Sequence, residues 1–327
     1  MVVVCPFVPV VMTEFLRILE FSFSVTGPIF VILVLGVWLR RRGMLTDAFV
    51  EAGSRLVFNV ALPALLFISI SKTHFEAAAN FSLVAFGAVA TLFTFLILEW
   101  IASRWVDEAS DRGVVVQGGF RSNMGIVGLA YCINAYGEKG LVAASLYLGL
   151  ITILFNILAV ITLSRSLHTD RSMKGLLKGI VTNPLIIGIV AALPVSAMEW
   201  QLPALVIQSG QYFANLTLPL ALLCTGASLN FARLKLERHS TLLASIAKLV
   251  FVPLVFVLGG YLAGFRDIDL GVLLLLSSTP TAAASYVMVR AMGGNAVLAA
   301  NIIALTTVAS IFTTSLGIMA LRAAGLM

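Results

Sequence analysis

The sequence predicts an all-α membrane protein of ten transmembrane helices, built as a 5+5 inverted repeat with helices 4 and 9 broken. Three observations predict it: composition, the spacing of charge-free windows, and a match of the chain to itself at one offset. Hydrophobic residues make up 60% of the 327 and charged residues 11%, against about a half and a quarter in soluble domains. That apolar total is close to what ten spans of ~20 residues require. A soluble multidomain enzyme is excluded. So is a nucleic-acid binder: the net charge is +6, but the Lys and Arg residues lie in short gaps between apolar runs and form no patch. Cys5, Cys132 and Cys224 are odd in number and far apart, so neither a disulfide framework nor a metal site is expected.

Helix 1 occupies the uncharged window 21–39; Val2–Met12 is its lead-in, without the basic start or cleavage pattern of a signal peptide. Helix 2 (56–71) follows Arg55 and stops at Lys72, and helix 3 (77–98) stops at Glu99. Helix 4 (113–137) tolerates one cation, Arg121, and is punctuated by Gly118, Gly119, Gly125 and Gly128. Helix 5 (140–164) ends at Arg165. Helices 6 (179–198) and 7 (200–232) flank Glu199; helix 8 (239–265) holds Lys248. Helix 9 (270–289) carries Ser277-Ser278-Thr279-Pro280-Thr281 in an apolar run, and helix 10 (291–321) stops at Arg322.

Cytoplasmic loops retain Lys and Arg. One set of alternate gaps holds thirteen cations, including Arg40-Arg41-Arg42 and those of 165–178, whereas the other set with the termini holds five. Both termini are therefore expected outside the cytoplasm and the 165–178 loop inside.

The repeat appears at an offset of 156 residues. Val25-Thr26-Gly27-Pro28 recurs as Val181-Thr182-Asn183-Pro184, and Asn59-x-x-Leu62-Pro63-x-x-Leu66 as Asn215-x-x-Leu218-Pro219-x-x-Leu222. Chance predicts roughly 0.2 proline coincidences where two occur in matching contexts. The halves are 1–164 and 179–327, joined by 165–178. Each holds five helices, an odd number, so the second half is inverted, the pattern of secondary transporters. The offset also superimposes Ser122-Asn123-Met124 on Ser278-Thr279-Pro280. Asn123 lies ~15 Å into helix 4 and Thr279 ~14 Å into helix 9, near mid-bilayer, where a broken helix is tolerated only if it lines a cavity or binds something.

The strings Asn59-Val60-Ala61-Leu62-Pro63-Ala64-Leu65-Leu66-Phe67, Gly119-Phe120-Arg121-Ser122-Asn123-Met124-Gly125-Ile126-Val127-Gly128-Leu129, Thr182-Asn183-Pro184-Leu185 and Pro280-Thr281-Ala282-Ala283-Ala284-Ser285-Tyr286 resemble the auxin efflux carrier family, which is similar in architecture to plant PIN-type auxin exporters. The resemblance implies a scaffold of helices 1, 2, 6 and 7, and a transport domain of helices 3–5 and 8–10 in which helices 4 and 9 cross. It also implies a homodimer, with helices 2 and 7 at the contact, elevator-type alternating access, and export of organic anions such as indole-3-acetate or small carboxylates. Family members commonly have proline where this chain has Ala130, so the helix 4 break here rests on glycine and Asn123.

The candidate substrate-binding residues are Asn123, Arg121, Met124, Gly125, Ser278, Thr279, Pro280 and Thr281 at the breaks, with Pro63 and Leu66 from the scaffold. Arg121 either attracts the anion or bonds carbonyls freed by the broken helix. Asn123 either orients a carboxylate or caps the half-helix that follows. Lys248 is a candidate coupling residue or a lysine that snorkels to the cytoplasmic side. Asn59 and Asn215 accompany Pro63 and Pro219, and each asparagine can satisfy the carbonyl its proline frees. All fifteen acidic residues and His74, His168 and His239 lie in gaps or at window ends. Mid-membrane acid coupling, histidine relays and metal sites are accordingly not expected, and no catalytic constellation or cofactor motif is present. The expected partners are the lipid bilayer, an organic anion and a second copy, in a bacterial inner (plasma) membrane. The rival readings are a proton- or sodium-coupled carboxylate importer and a membrane receptor that binds without transporting.

Overall fold

The computed structural model describes residues 7–72, 81–167, 182, 184–229 and 238–327. Most of the predicted 165–178 loop, Asn183 of the repeat and Cys5 lie outside them. Among the described residues the chain is helical, save for one isolated antiparallel bridge between Ser122 and Thr281.

Helix α1 (Phe7–Arg41) runs through Pro28. Gly43, at φ 76°, turns the chain toward α2 (Asp47–Ser71), where Thr46 Oγ1 caps the helix by accepting from Phe49 N at 3.2 Å. Arg40 ties the corner by donating to Leu45 O at 2.9 Å and to the Asp47 carboxylate. Within α2, Val57–Ala61 widens into a π turn. Pro63 lacks an N–H and its ring crowds the carbonyl four residues back, so the turn loosens there. Asn59 Nδ2 donates to Arg55 O at 2.8 Å, one turn before the Asn59 carbonyl that the proline frees, so the expected bond of the asparagine to the freed carbonyl is not the one formed.

The chain continues as α3 (Phe81–Trp105), α4 (Ala109–Phe120) and α5 (Met124–Leu167). Gly137 breaks α5 at φ 60°, ψ −138°, a conformation that side-chain-bearing residues avoid. Next come α6 (Pro184–Ala197) and α7 (Ala204–Ser228). Helix α8 (Arg238–Leu262) holds another π turn, Ala247–Phe251, ahead of Pro253. The last three are α9 (Asp267–Ser277), α10 (Ala284–Ala291) and α11 (Ala296–Ala323).

Six helices among the described residues are long and apolar enough to cross a membrane: Leu16–Arg41, α2, α3, α5, α8 and α11. The sequence predicts ten, and the difference has a physical basis. Predicted helices 4 and 9 are interrupted partway. Helix α6 has only 14 residues, and α7, though 25 long, carries Gln208, Gln211 and Asn215. The outward faces are apolar: Leu242, Ile246, Val250, Leu254 and Leu258 form an exposed stripe down α8, while Thr241, Ser245 and Lys248 on its other side are buried. This inverts the arrangement of a water-soluble bundle, as a lipid surround requires.

Helix α1 lies against α7 at backbone contact; a Cβ at Gly226 would meet Leu33 O at 2.1 Å, and one at Gly36 would meet Leu223 O at 2.4 Å. Helix α2 packs on α6 and α7, with Gly188 over the Pro63 backbone. Helices α3, α4 and α5 share an aromatic core, in which Phe120 stacks edge-on against Phe95 (5.5 Å) and Phe155 (5.6 Å). Helices α8, α9 and α11 close over this group.

Candidate functional site

Two helices stop in the interior. Helix α4 ends at Phe120, and the chain passes through Arg121 (φ −81°, ψ 99°) and Asn123 (φ −80°, ψ 58°) before α5 begins. Helix α9 ends at Ser277 and α10 begins at Ala284. The two gaps pair with each other. Asn123 N donates to Pro280 O at 2.8 Å and Ala282 N donates to Arg121 O at 3.0 Å, on either side of the Ser122–Thr281 bridge. Ser122, Thr279 and Thr281 are all buried, so backbone groups freed in a place without water find partners in the other break. Ala130, where the family commonly has proline, lies buried within α5 and the break stands without it.

Side chains from neighbouring helices satisfy the remaining ends. Ser277 O receives Lys248 Nζ at 2.5 Å and Ser122 Oγ at 3.4 Å; Ser278 O receives Thr314 Oγ1 at 3.2 Å; Gly118 O receives Thr281 Oγ1 at 2.6 Å. Thr281 N donates to Thr306 Oγ1 at 3.1 Å, and Thr279 Oγ1 turns back onto Leu276 O at 3.0 Å. The Lys248 ammonium also donates to Ser122 Oγ at 2.7 Å and is fully buried. Snorkelling is thus corrected: Lys248 points inward because it shares the core face of α8 with Thr241 and Ser245. It sits at the C-terminal end of α9, where the helix dipole is negative.

Asn123 stands at the N-terminal end of α5, only 7% exposed. Its amide does not cap that helix and makes no hydrogen bond among the described residues, so the capping alternative is corrected too. Met124 is buried beside it, and a Cβ at Gly125 would lie 3.4 Å from Leu62 of α2. Arg121 is 7% exposed, and its guanidinium does not bond the freed carbonyls as the structural reading supposes. Nη2 donates to Asn156 Oδ1 at 2.6 Å, and Nη1 faces Met288 Sδ at 3.5 Å, onto which Gln117 Nε2 also donates at 3.4 Å.

The breaks therefore gather Arg121, Asn123, Met124, Lys248 and Ser278 to Thr281. Two of the scaffold candidates lie elsewhere. Pro63 and Asn59 line a cleft of about 380 Å³ between α2 and α6, with Phe67, Pro184 and Gly188; no break residue borders it. Leu66 is buried in the core, Asn215 accepts from Gln211 Nε2 at 2.9 Å, and Pro219 lies inside α7. Gln117, Asn156, Met288, Thr306 and Thr314 escape the sequence reading. Gln117 carries a signal, one turn before Arg121; Asn156 carries another, a lone amide in the apolar run 140–164.

A family model described as a membrane transport protein matches residues 23–175 and 164–318. An uncharacterized transporter of Methanothermobacter thermautotrophicus is 24% identical over 266 residues, covering 80% of this chain and 85% of its own. An uncharacterized transporter of Methanocaldococcus jannaschii is 23% identical over 299 residues, covering 88% and 95%.

Proposed function

The chain belongs to the membrane transport protein family, that of the auxin efflux carriers, and from this premise we propose that it exports organic anions such as indole-3-acetate or small carboxylates by elevator-type alternating access. The observation that carries the reading is the pairing of residues 121–123 with 280–282 inside the fold. Carbonyls at the C-terminal ends of α4 and α9, ahead of the breaks, are taken by Lys248, Thr281 and Thr314. The N-terminal ends of α5 and α10 converge on the same place, each with about half a positive charge, and suit a carboxylate held without a full salt bridge. The Asn123 amide, without a partner among the described residues, supplies its donors there.

In this reading the ten-helix inverted repeat is the working unit. Helices 1, 2, 6 and 7 form a stationary scaffold and helices 3–5 and 8–10 the moving body, with helices 4 and 9 crossing at the breaks. The packing of α1 on α7 and of α2 on α6 supports such a grouping. The carrier works as a homodimer in a bacterial inner membrane with both termini outside. Tags at either terminus are therefore expected to react from the external side of intact cells, and a cysteine at Ser172 only after permeabilisation; external labelling of Ser172 would reverse the orientation.

The decisive variant is Asn123→Ala. In nanodiscs, its affinity for indole-3-acetate or succinate is expected to fall by about 1–3 kcal/mol, the range for a lost hydrogen bond to a buried polar group, with little change in unfolding temperature. Equal affinity in well-folded wild type and variant removes Asn123 from the site.

A further inference from the structure

Arg121 is a charge with no counter-charge. Its guanidinium stays protonated under all ordinary conditions, it is 7% exposed, and among the described residues it makes no ion pair. Its two partners are a neutral amide oxygen on Asn156 and the thioether of Met288. A thioether is a weak acceptor, yet two good donors, Arg121 Nη1 and Gln117 Nε2, converge on that sulfur. Gln117 is completely buried and its Oε1 has no partner. Ser285, one turn before Met288 on α10, is 2% exposed and its hydroxyl is also unpaired. Two good donors thus share one poor acceptor, with an unpaired hydroxyl one turn away on the same helix, and burying an unpaired charge and unpaired dipoles is costly.

We propose that Arg121, Gln117, Asn156 and Ser285 form a carboxylate subsite, held shut by the Met288 side chain. A carboxylate oxygen in place of the sulfur would accept from both Nη1 and Gln117 Nε2, and the second oxygen would accept from Ser285. The planar fork of the guanidinium matches that geometry, and charge-assisted bonds of this kind are about twice as strong as neutral ones. Met288 and Asn156 are only partly buried, which leaves an approach, and methionine is flexible enough to swing aside. The proposal rests on the reading that the chain carries organic anions, and it assigns the guanidinium pocket beside the breaks as a second station for the anionic group, separate from the half-helix ends and Asn123.

The test uses the full chain in nanodiscs with ¹³C-methyl methionine, the Met288 signal being identified by Met288→Leu. Acetate, indole-3-acetate and succinate are the probes, with neutral acetamide as control. At least one carboxylate is expected to shift the Met288 methyl resonance saturably while acetamide does not, and Gln117→Leu and Ser285→Ala are each expected to weaken that response about tenfold, the loss of roughly one hydrogen bond. Arg121→Lys, which keeps the charge but loses the fork, is expected to abolish it, and the other two variants stand in if that protein misfolds. A Met288 signal indifferent to all three carboxylates, or equally responsive in Gln117→Leu and Ser285→Ala, overturns the subsite. Proteoliposome flux separates the two levels: flux of these anions with a silent Met288 sinks the subsite and leaves the transport reading intact, whereas a responsive Met288 without flux does the reverse.

Discussion

A Lys248→Met carrier is expected to reach the membrane in near-normal amount and to transport at less than about a tenth of the wild-type rate, equivalent to at least ~1.4 kcal/mol in the barrier. Two effects oppose each other in its stability. The variant loses two charge-assisted hydrogen bonds, to Ser122 Oγ and Ser277 O, each worth about 1.5–3 kcal/mol. It also escapes the burial of an ammonium, whose effective penalty is several kcal/mol. Methionine has nearly the length of the lysine stem and leaves little cavity, so these terms largely cancel. Nothing cancels in the geometry. Lys248 is the group that ties α8 to both breaks at once, through Ser122 before α5 and Ser277 at the end of α9. Without it Ser277 O keeps only the long Ser122 contact at 3.4 Å, and the paired segments lose the anchor that, in the proposed elevator movement, would carry them with α8 as one body. Flux in proteoliposomes, normalised to folded protein, is the measurement; a wild-type rate would reduce Lys248 to a packing residue.

Gly226→Ala is expected to be among the most damaging Gly→Ala changes of the described residues, lowering stability by about 3 kcal/mol or more, at or beyond the upper range for overpacking. The added Cβ would stand 2.1 Å from Leu33 O and 2.9 Å from Leu33 C. Those are backbone atoms of α1, which cannot turn away as a side-chain tip would, so the two helices must separate along their contact. The control is Gly27→Ala on α1, where nothing beyond the chain neighbours lies within 4 Å of the new methyl and alanine's better helix propensity is offset by crowding of its Cβ against the Pro28 ring. The thermal unfolding temperature in mild detergent should therefore fall far more in Gly226→Ala than in Gly27→Ala. A Gly226→Ala protein as stable as wild type would show that α1 and α7 are not in backbone contact.

Much of this molecule was legible in the residues themselves. Membrane residence follows from composition, because 11% charged residues cannot cover a water-facing surface. The places where helices stop follow from local chemistry as well: glycines and Asn123 before α5, Ser-Ser-Thr-Pro after Leu276, and Gly137 beside two charges. Pro63 announced a disturbance in α2, although the form it took, a π turn, depends on how the ring meets the carbonyl of Asn59. What the sequence left open is everything that depends on which face of a helix meets which neighbour. Lys248 stood open between a coupling residue and a snorkelling lysine, since its position along α8 is the same either way. Only packing turned it to Ser277, on the face it shares with Thr241 and Ser245. Arg121 likewise stood near a break, but its bond to Asn156 joins residues 35 apart in sequence and its contact with Met288 joins residues 167 apart. A composition or a spacing records what a residue is and how far along the chain it lies. The pairing of the breaks, the lysine beneath them and the guanidinium against a sulfur are long-range contacts, decided by helices α4, α5, α8, α9 and α10 meeting in one place, where burial without water leaves each polar group only the partners that the tertiary structure brings to it.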